Sequence, residues 1–144
     1  MGKGRNVKLA AAVCLLVWVF VVRTLTGCSV EKESREKVRD LESQVTGEAD
    51  LPEELRRLVE EKKAAPFKLT YENDQGMYIV VGYGEQPTGG YSITLEELYL
   101  TENAIVIDTE LHGPEPGEPA GVEKSFPYLA VRTEKLEEPV IFHE

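Results

Sequence analysis

Gly82-Tyr83-Gly84-Glu85-Gln86-Pro87-Thr88-Gly89-Gly90-Tyr91-Ser92 is the stretch whose reading decides the fold. Before it, Met77–Tyr83 (MYIVVGY) is an apolar, β-rich run, and after it Tyr91–Leu100 reads as a second strand. The residues between them are therefore a strand-to-strand connection. Pro87 and Thr88 stiffen the start of the turn. The paired glycines Gly89 and Gly90 permit a positive φ, or a close backbone approach, that no other residue tolerates. Two readings stay open here: an obligatory structural turn, or a protruding recognition loop with Thr88 at its tip and a half-buried Tyr91 at its base.

Outward from this loop the period of two continues. Phe67, Leu69 and Tyr71 alternate with Lys68 and Thr70, and Asn73-Asp74-Gln75-Gly76 is turn chemistry. Glu102-Asn103 turns into Ala104–Leu111, a long Gly/Pro/Glu loop runs from Gly113 to Gly121, and Ser125–Thr133 and Pro139–His143 close the set. Six strands in residues 66–144 predict a mainly β domain, a small antiparallel β-sandwich or barrel. Pro127, inside a strand pattern, predicts an edge, a bulge or a bent start.

Before the strands lies one short helix, over residues 50–65. Asp50 is read as N-cap with Glu53 completing a capping box, Pro52 sits in the first turn, and Pro66 stops the helix. Leu51, Leu55, Leu58 and Val59 share one face, with Leu55 and Leu58 read as optional packing against the strands. Residues 28–49 read as a charged stalk, helical or disordered, in which Ser29–Thr46 has only Val30, Val38, Leu41 and Val45 apolar.

Residues 1–27 read as an export signal. Met1–Lys8 is basic, and Leu9–Val22 is an apolar run of fourteen residues. As a helix such a run reaches about 21 Å, short of the roughly 30 Å hydrocarbon core, which suits a signal h-region. Leu25-Thr26-Gly27-Cys28 resembles the lipobox of bacterial lipoproteins. That resemblance implies cleavage before Cys28, acylation of its thiol, and a domain held at the outer face of the cell membrane. The alternative is an uncleaved signal-anchor helix with Lys8 and Arg23 at the two interfaces.

Charge narrows the function classes. The formal net charge is -10, made of +4 over residues 1–27, -3 over 28–65 and -11 over 66–144. So acidic a body repels phosphate backbones, and nucleic acid is not expected as a partner. The two cysteines, Cys14 and Cys28, leave the strand region without a thiol nucleophile or a zinc-thiolate site. Two histidines, His112 and His143, are little material for acid–base chemistry. Ser125, His143 and Asp108 form a triad only on paper, with no nucleophile elbow around the serine. Glu72–Gly76 lacks the repeated acidic spacing of a calcium loop and reads as a plain turn. The expectation is a protein without catalytic residues, metal or cofactor.

Gly84-Glu85-Gln86-Pro87-Thr88-Gly89-Gly90-Tyr91-Ser92 resembles the G-x-x-P-T-G-G-Y-S signature of the PrcB C-terminal domain family. Pro114-Glu115-Pro116-Gly117 resembles the family's Pro-rich loop, and Ser125-Phe126-Pro127-Tyr128 its aromatic-Pro-Tyr element. The resemblance covers about residues 66–144. It implies a small β module on a secreted or lipid-anchored protein, with an extracellular partner such as the protease complex from which the family takes its name. Pro87, Thr88, Gly89, Gly90, Tyr91, Pro127 and Tyr128 are the candidate binding residues. A fainter likeness links Gln86–Tyr91 to the first inhibitory loop of chagasin-type inhibitors of cysteine peptidases, though the other two inhibitory loops of that family have no counterpart here.

Overall fold

Strand formation starts from the apolar run around Ile79. In the computed structural model, which describes residues 36–143, Gly76–Tyr83 is buried from Gly76 to Gly82 because it is covered on both faces. The strands, in chain order, are β1 (Arg39–Asp40), β2 (Ser43–Val45), β3 (Pro66–Asn73), β4 (Gly76–Tyr83), β5 (Ser92–Leu100), β6 (Ile105–His112), β7 (Tyr128–Thr133) and β8 (Val140–His143). One α-helix, α1 (Glu53–Lys62), follows a single 3-10 turn at Glu48–Asp50. The export signal and Cys28 lie outside the described residues. Among the described residues no helix is long and apolar enough to cross a membrane.

Two four-stranded sheets result, ordered β2-β7-β4-β3 and β1-β5-β6-β8. The alternating side chains of β4 serve two cores. Met77, Ile79 and Val81 meet Leu129 and Val131 of β7 and Leu98, Ile105 and Ile107 of the other sheet, so this core lies between the sheets. Tyr78 and Val80 point the opposite way, onto Leu51, Leu55 and Val59 at the helix and Ala130 of β7. The hydroxyl of Tyr83 lies 2.9 Å from the Thr109 carbonyl oxygen and 2.8 Å from the Thr109 hydroxyl, a polar tie between the sheets.

Five expectations change. Both sheets are open, each ending in strands with one neighbour, so the barrel alternative is set aside. The pairing is antiparallel except for β8, which runs parallel to β6. This follows from the path: β7 carries the chain back along the other sheet, so β8 starts beside the first residue of β6, where the Ile105 amide donates to the Pro139 carbonyl at 2.9 Å.

Residues 36–49 are not a helical or disordered stalk. β1 pairs with β5 and β2 with β7, and Leu41 between them is buried in the inter-sheet core. Nor does the capping box at Asp50 form: the helix N-cap is Pro52, without a side-chain cap. Instead, the Arg56 guanidinium donates to the carbonyls of Glu48, Ala49 and Leu51. Pro127 stands just outside β7, which is central rather than an edge.

Candidate functional site

Both β4–β5 and β6–β7 are crossovers from one sheet to the other, and they meet at one pole of the domain. The first is Gly84–Tyr91 and the second is residues 113–127. They are joined backbone to backbone, with the Gln86 amide donating to the Ser125 carbonyl at 2.8 Å and the Ser125 amide returning to Gln86 at 3.1 Å. The Ser125 hydroxyl donates to the Thr88 carbonyl at 2.6 Å. Lys124 pairs with Glu85 at 2.7 Å, an exposed ion pair that adds little.

The paired glycines allow this contact. Gly90 has φ +81°, the region that side chains resist, and a Cβ there would stand 3.0 Å from the Cβ of Pro114. Gly89 is pressed against the backbone: a Cβ on it would lie 2.8 Å from the Ala120 carbonyl oxygen. The motif is thus a seat for the second crossover. Pro87 and Gly90 remain exposed, while Thr88, Gly89 and Tyr91 are half-buried. Thr88 is no free tip, because its hydroxyl donates to the Gly89 carbonyl at 3.1 Å and its own carbonyl is taken by Ser125. The Tyr91 ring lies against Gly113, the first residue of the second crossover.

The remaining candidates divide. Pro127 adjoins this pole, its carbonyl accepting from the Tyr83 amide at 3.1 Å. Tyr128 faces away from it, packed on the helix-side core. Burial, reinforced by the nearby carboxylates of Glu48 and Glu60, holds the Tyr128 phenol above the usual tyrosine range, with Arg56 opposing. Sequence reasoning did not assign roles to Pro114, Ala120 and Ser125, although Pro114 and Ser125 stood inside quoted landmarks.

The second crossover projects beyond its seat. Val122 is 94 % exposed, and Gly117 and Gly121 on either side of Pro119 take positive φ in open space. The serine of the paper triad is committed to Thr88, and Asn73–Gly76 is a tight turn in which the Gln75 amide donates to the Asn73 side-chain oxygen at 2.8 Å. An open cleft of about 810 Å³ lies elsewhere, beside Arg39, Glu42, Gln44 and Arg132. Its cations are already occupied: Arg39 pairs with Glu134 at 2.6 Å and Arg132 donates to Gln44 at 2.7 Å.

Residues 77–134 match the family model of the PrcB C-terminal domain, so the resemblance carried by the Pro-Thr-Gly-Gly-Tyr motif holds over that stretch. The match runs from β4 to the residue after β7 and contains both crossovers. No curated protein and no solved structure matches the chain.

Proposed function

We propose that this protein is a non-enzymatic cell-surface lipoprotein, acylated at Cys28, whose β domain binds or assembles with an extracellular protein partner. A protease complex is the partner class suggested by the matching family. The observation that carries this reading is the pole where the two crossovers lock together. It holds Pro87 and Gly90 exposed on a turn fixed by the Gln86–Ser125 backbone bonds and by the close approach of Gly89 and Gly90, with Val122 exposed on the crossover seated there. Preorganised loops of this kind lose little entropy on binding, which suits recognition rather than turnover. In this reading the motif supports the binding surface, and the tip of the second crossover supplies much of the contact.

The test is co-purification of the full chain from membranes, comparing wild type with Val122→Asp and Thr88→Ala, with peptidase activity followed in the retained fraction. Loss of association at Val122→Asp with peptidase turnover unchanged supports assembly. Turnover that rises as association is lost would make the protein an inhibitor instead. For the anchor, fatty-acid labelling should disappear in Cys28→Ser, and label that persists rejects acylation at that residue.

A further inference from the structure

The two sheets differ on their outer faces. Among the described residues the single α-helix covers β2-β7-β4-β3, and no helix covers β1-β5-β6-β8. On this second sheet the β5–β6 ladder shifts register between Leu95 and Glu97, which makes Glu96 an extra residue, a β-bulge. Leu95 and Leu98 on either side still pack toward the inter-sheet core. The bulge brings Glu96 beside Glu110 and His112 of the neighbouring strand. A carboxylate oxygen from each glutamate and one imidazole nitrogen all lie within 4.8 Å of one another, and His112 Nε2 is 3.8 Å from Glu110 Oε2. Opposite Glu110 and His112 stand Thr94 and Ser92, small side chains that leave the space above the ladder open.

We propose that Glu96, Glu110 and His112 bind a divalent transition-metal ion of the zinc type. Zinc holds imidazole nitrogen and carboxylate oxygen at about 2.0–2.2 Å, so its donors stand a little over 3 Å apart. The donors already lie within 4.8 Å of one another on three exposed side chains, which are free to change rotamer. The imidazole decides the class of metal, since calcium and magnesium prefer sites made wholly of oxygen. Two facing carboxylates supply charge neutralisation, and three protein ligands leave the fourth position for water or for a group from another molecule. The site adjoins the two-crossover pole, since His112 directly precedes Gly113, but it does not depend on the function proposed above.

Zinc chloride alone, titrated calorimetrically into the full chain in detergent with any free thiol alkylated, tests this. The expected result is one saturable equivalent of zinc and no response to calcium at the same concentration. His112→Ala and Glu96→Gln should each weaken zinc at least tenfold, while His143→Ala and Glu97→Gln leave it unchanged. All four residues are exposed, so a melting curve for each variant serves as a control on folding. Absence of saturable zinc binding, equal response to calcium, or binding that survives both His112→Ala and Glu96→Gln overturns the assignment.

Discussion

Ser125 reaches back 37 residues to donate its hydroxyl to the carbonyl oxygen of Thr88 at 2.6 Å. This bond fastens the second crossover to the Pro-Thr-Gly-Gly-Tyr turn, beside the paired backbone bonds of Gln86 and Ser125. Ser125→Ala removes the donor and leaves the half-buried carbonyl to water. A neutral hydrogen bond of this kind contributes about 0.5–1.5 kcal/mol, so a fall of that size in urea-unfolding free energy is expected. Amide exchange at Gln86 and Ser125 should speed up in the same variant. Unchanged exchange there would show that the clasp does not depend on this hydroxyl.

Gly90→Val should be worse. A side chain at φ +81° costs roughly 1–2 kcal/mol, more when β-branched, and here it also crowds Pro114. Gly89→Ala should destabilise for a different reason, since its Cβ would press on the backbone oxygen of Ala120. Thermal melts of the two variants check both, and a Gly90→Val protein with the wild-type melting temperature would remove the conformational role of the motif.

The helix offers a contrast within one turn. Leu55 is fully buried against Tyr78 and Val80, whereas Leu58 is half-buried. Leu55→Ala should therefore cost about 2–5 kcal/mol through lost contacts and a residual cavity, and Leu58→Ala about 1 kcal/mol or less. Denaturant midpoints decide it, and equal losses at the two positions would contradict the packing.

How much of this was legible in the sequence depends on what each element leaves in local pattern. β3 to β8 were readable because alternation and apolar runs report burial directly, and so was the glycine requirement of the turn, though not that Gly90 rather than Gly89 takes the positive φ. β1 and β2 were not. They are two and three residues long, every one of them exposed, and they pair with strands some sixty to ninety residues away. Their one inward side chain, Leu41, sits between them and looks in sequence like a stripe on a charged helix. The parallel course of β8 is likewise a property of the path through both sheets. At the pole, the motif itself was visible, but what it receives was not: Pro114 and Ala120 come from a loop whose composition alone reads as solvated surface, and Ser125 reads in sequence as the start of a strand that in fact begins at Tyr128.

Alkaline stability carries the imprint of Tyr128. Its phenol is held above the ordinary value near 10, chiefly by burial and then by the charges of Glu48 and Glu60. The folded state thus holds the proton more tightly than the unfolded chain. The contribution to stability is complete below about pH 10 and is lost as pH rises through the higher folded value. Tyr128→Phe keeps the packing and removes the titration, so stability should fall less steeply between pH 9 and 11 than in wild type. Tyr71, raised by burial and by its bond to Glu54, should retain part of the slope. Identical slopes for wild type and Tyr128→Phe would reject the assignment.

The division between linker and domain gives the last test. A fragment of residues 66–144 contains six strands and the whole matched stretch, yet it lacks β1, β2 and the helix. Without them Tyr78, Val80 and Ala130 lose their cover, Leu41 leaves the inter-sheet core, and β5 and β7 become bare edges. Uncovered apolar surface and long free edges favour association between copies. The fragment should therefore unfold at lower urea than residues 36–144 and elute as aggregates in size-exclusion chromatography. Residues 46–144, which keep the helix but not β1 and β2, should fall between the two. They lose Leu41 and the paired backbone of Ser43–Val45, but the helix-side core stays closed. If residues 66–144 were monomeric and as stable as 36–144, the charged segment would be a linker after all, and the packing of Leu41 and Leu55 would contribute nothing to the fold.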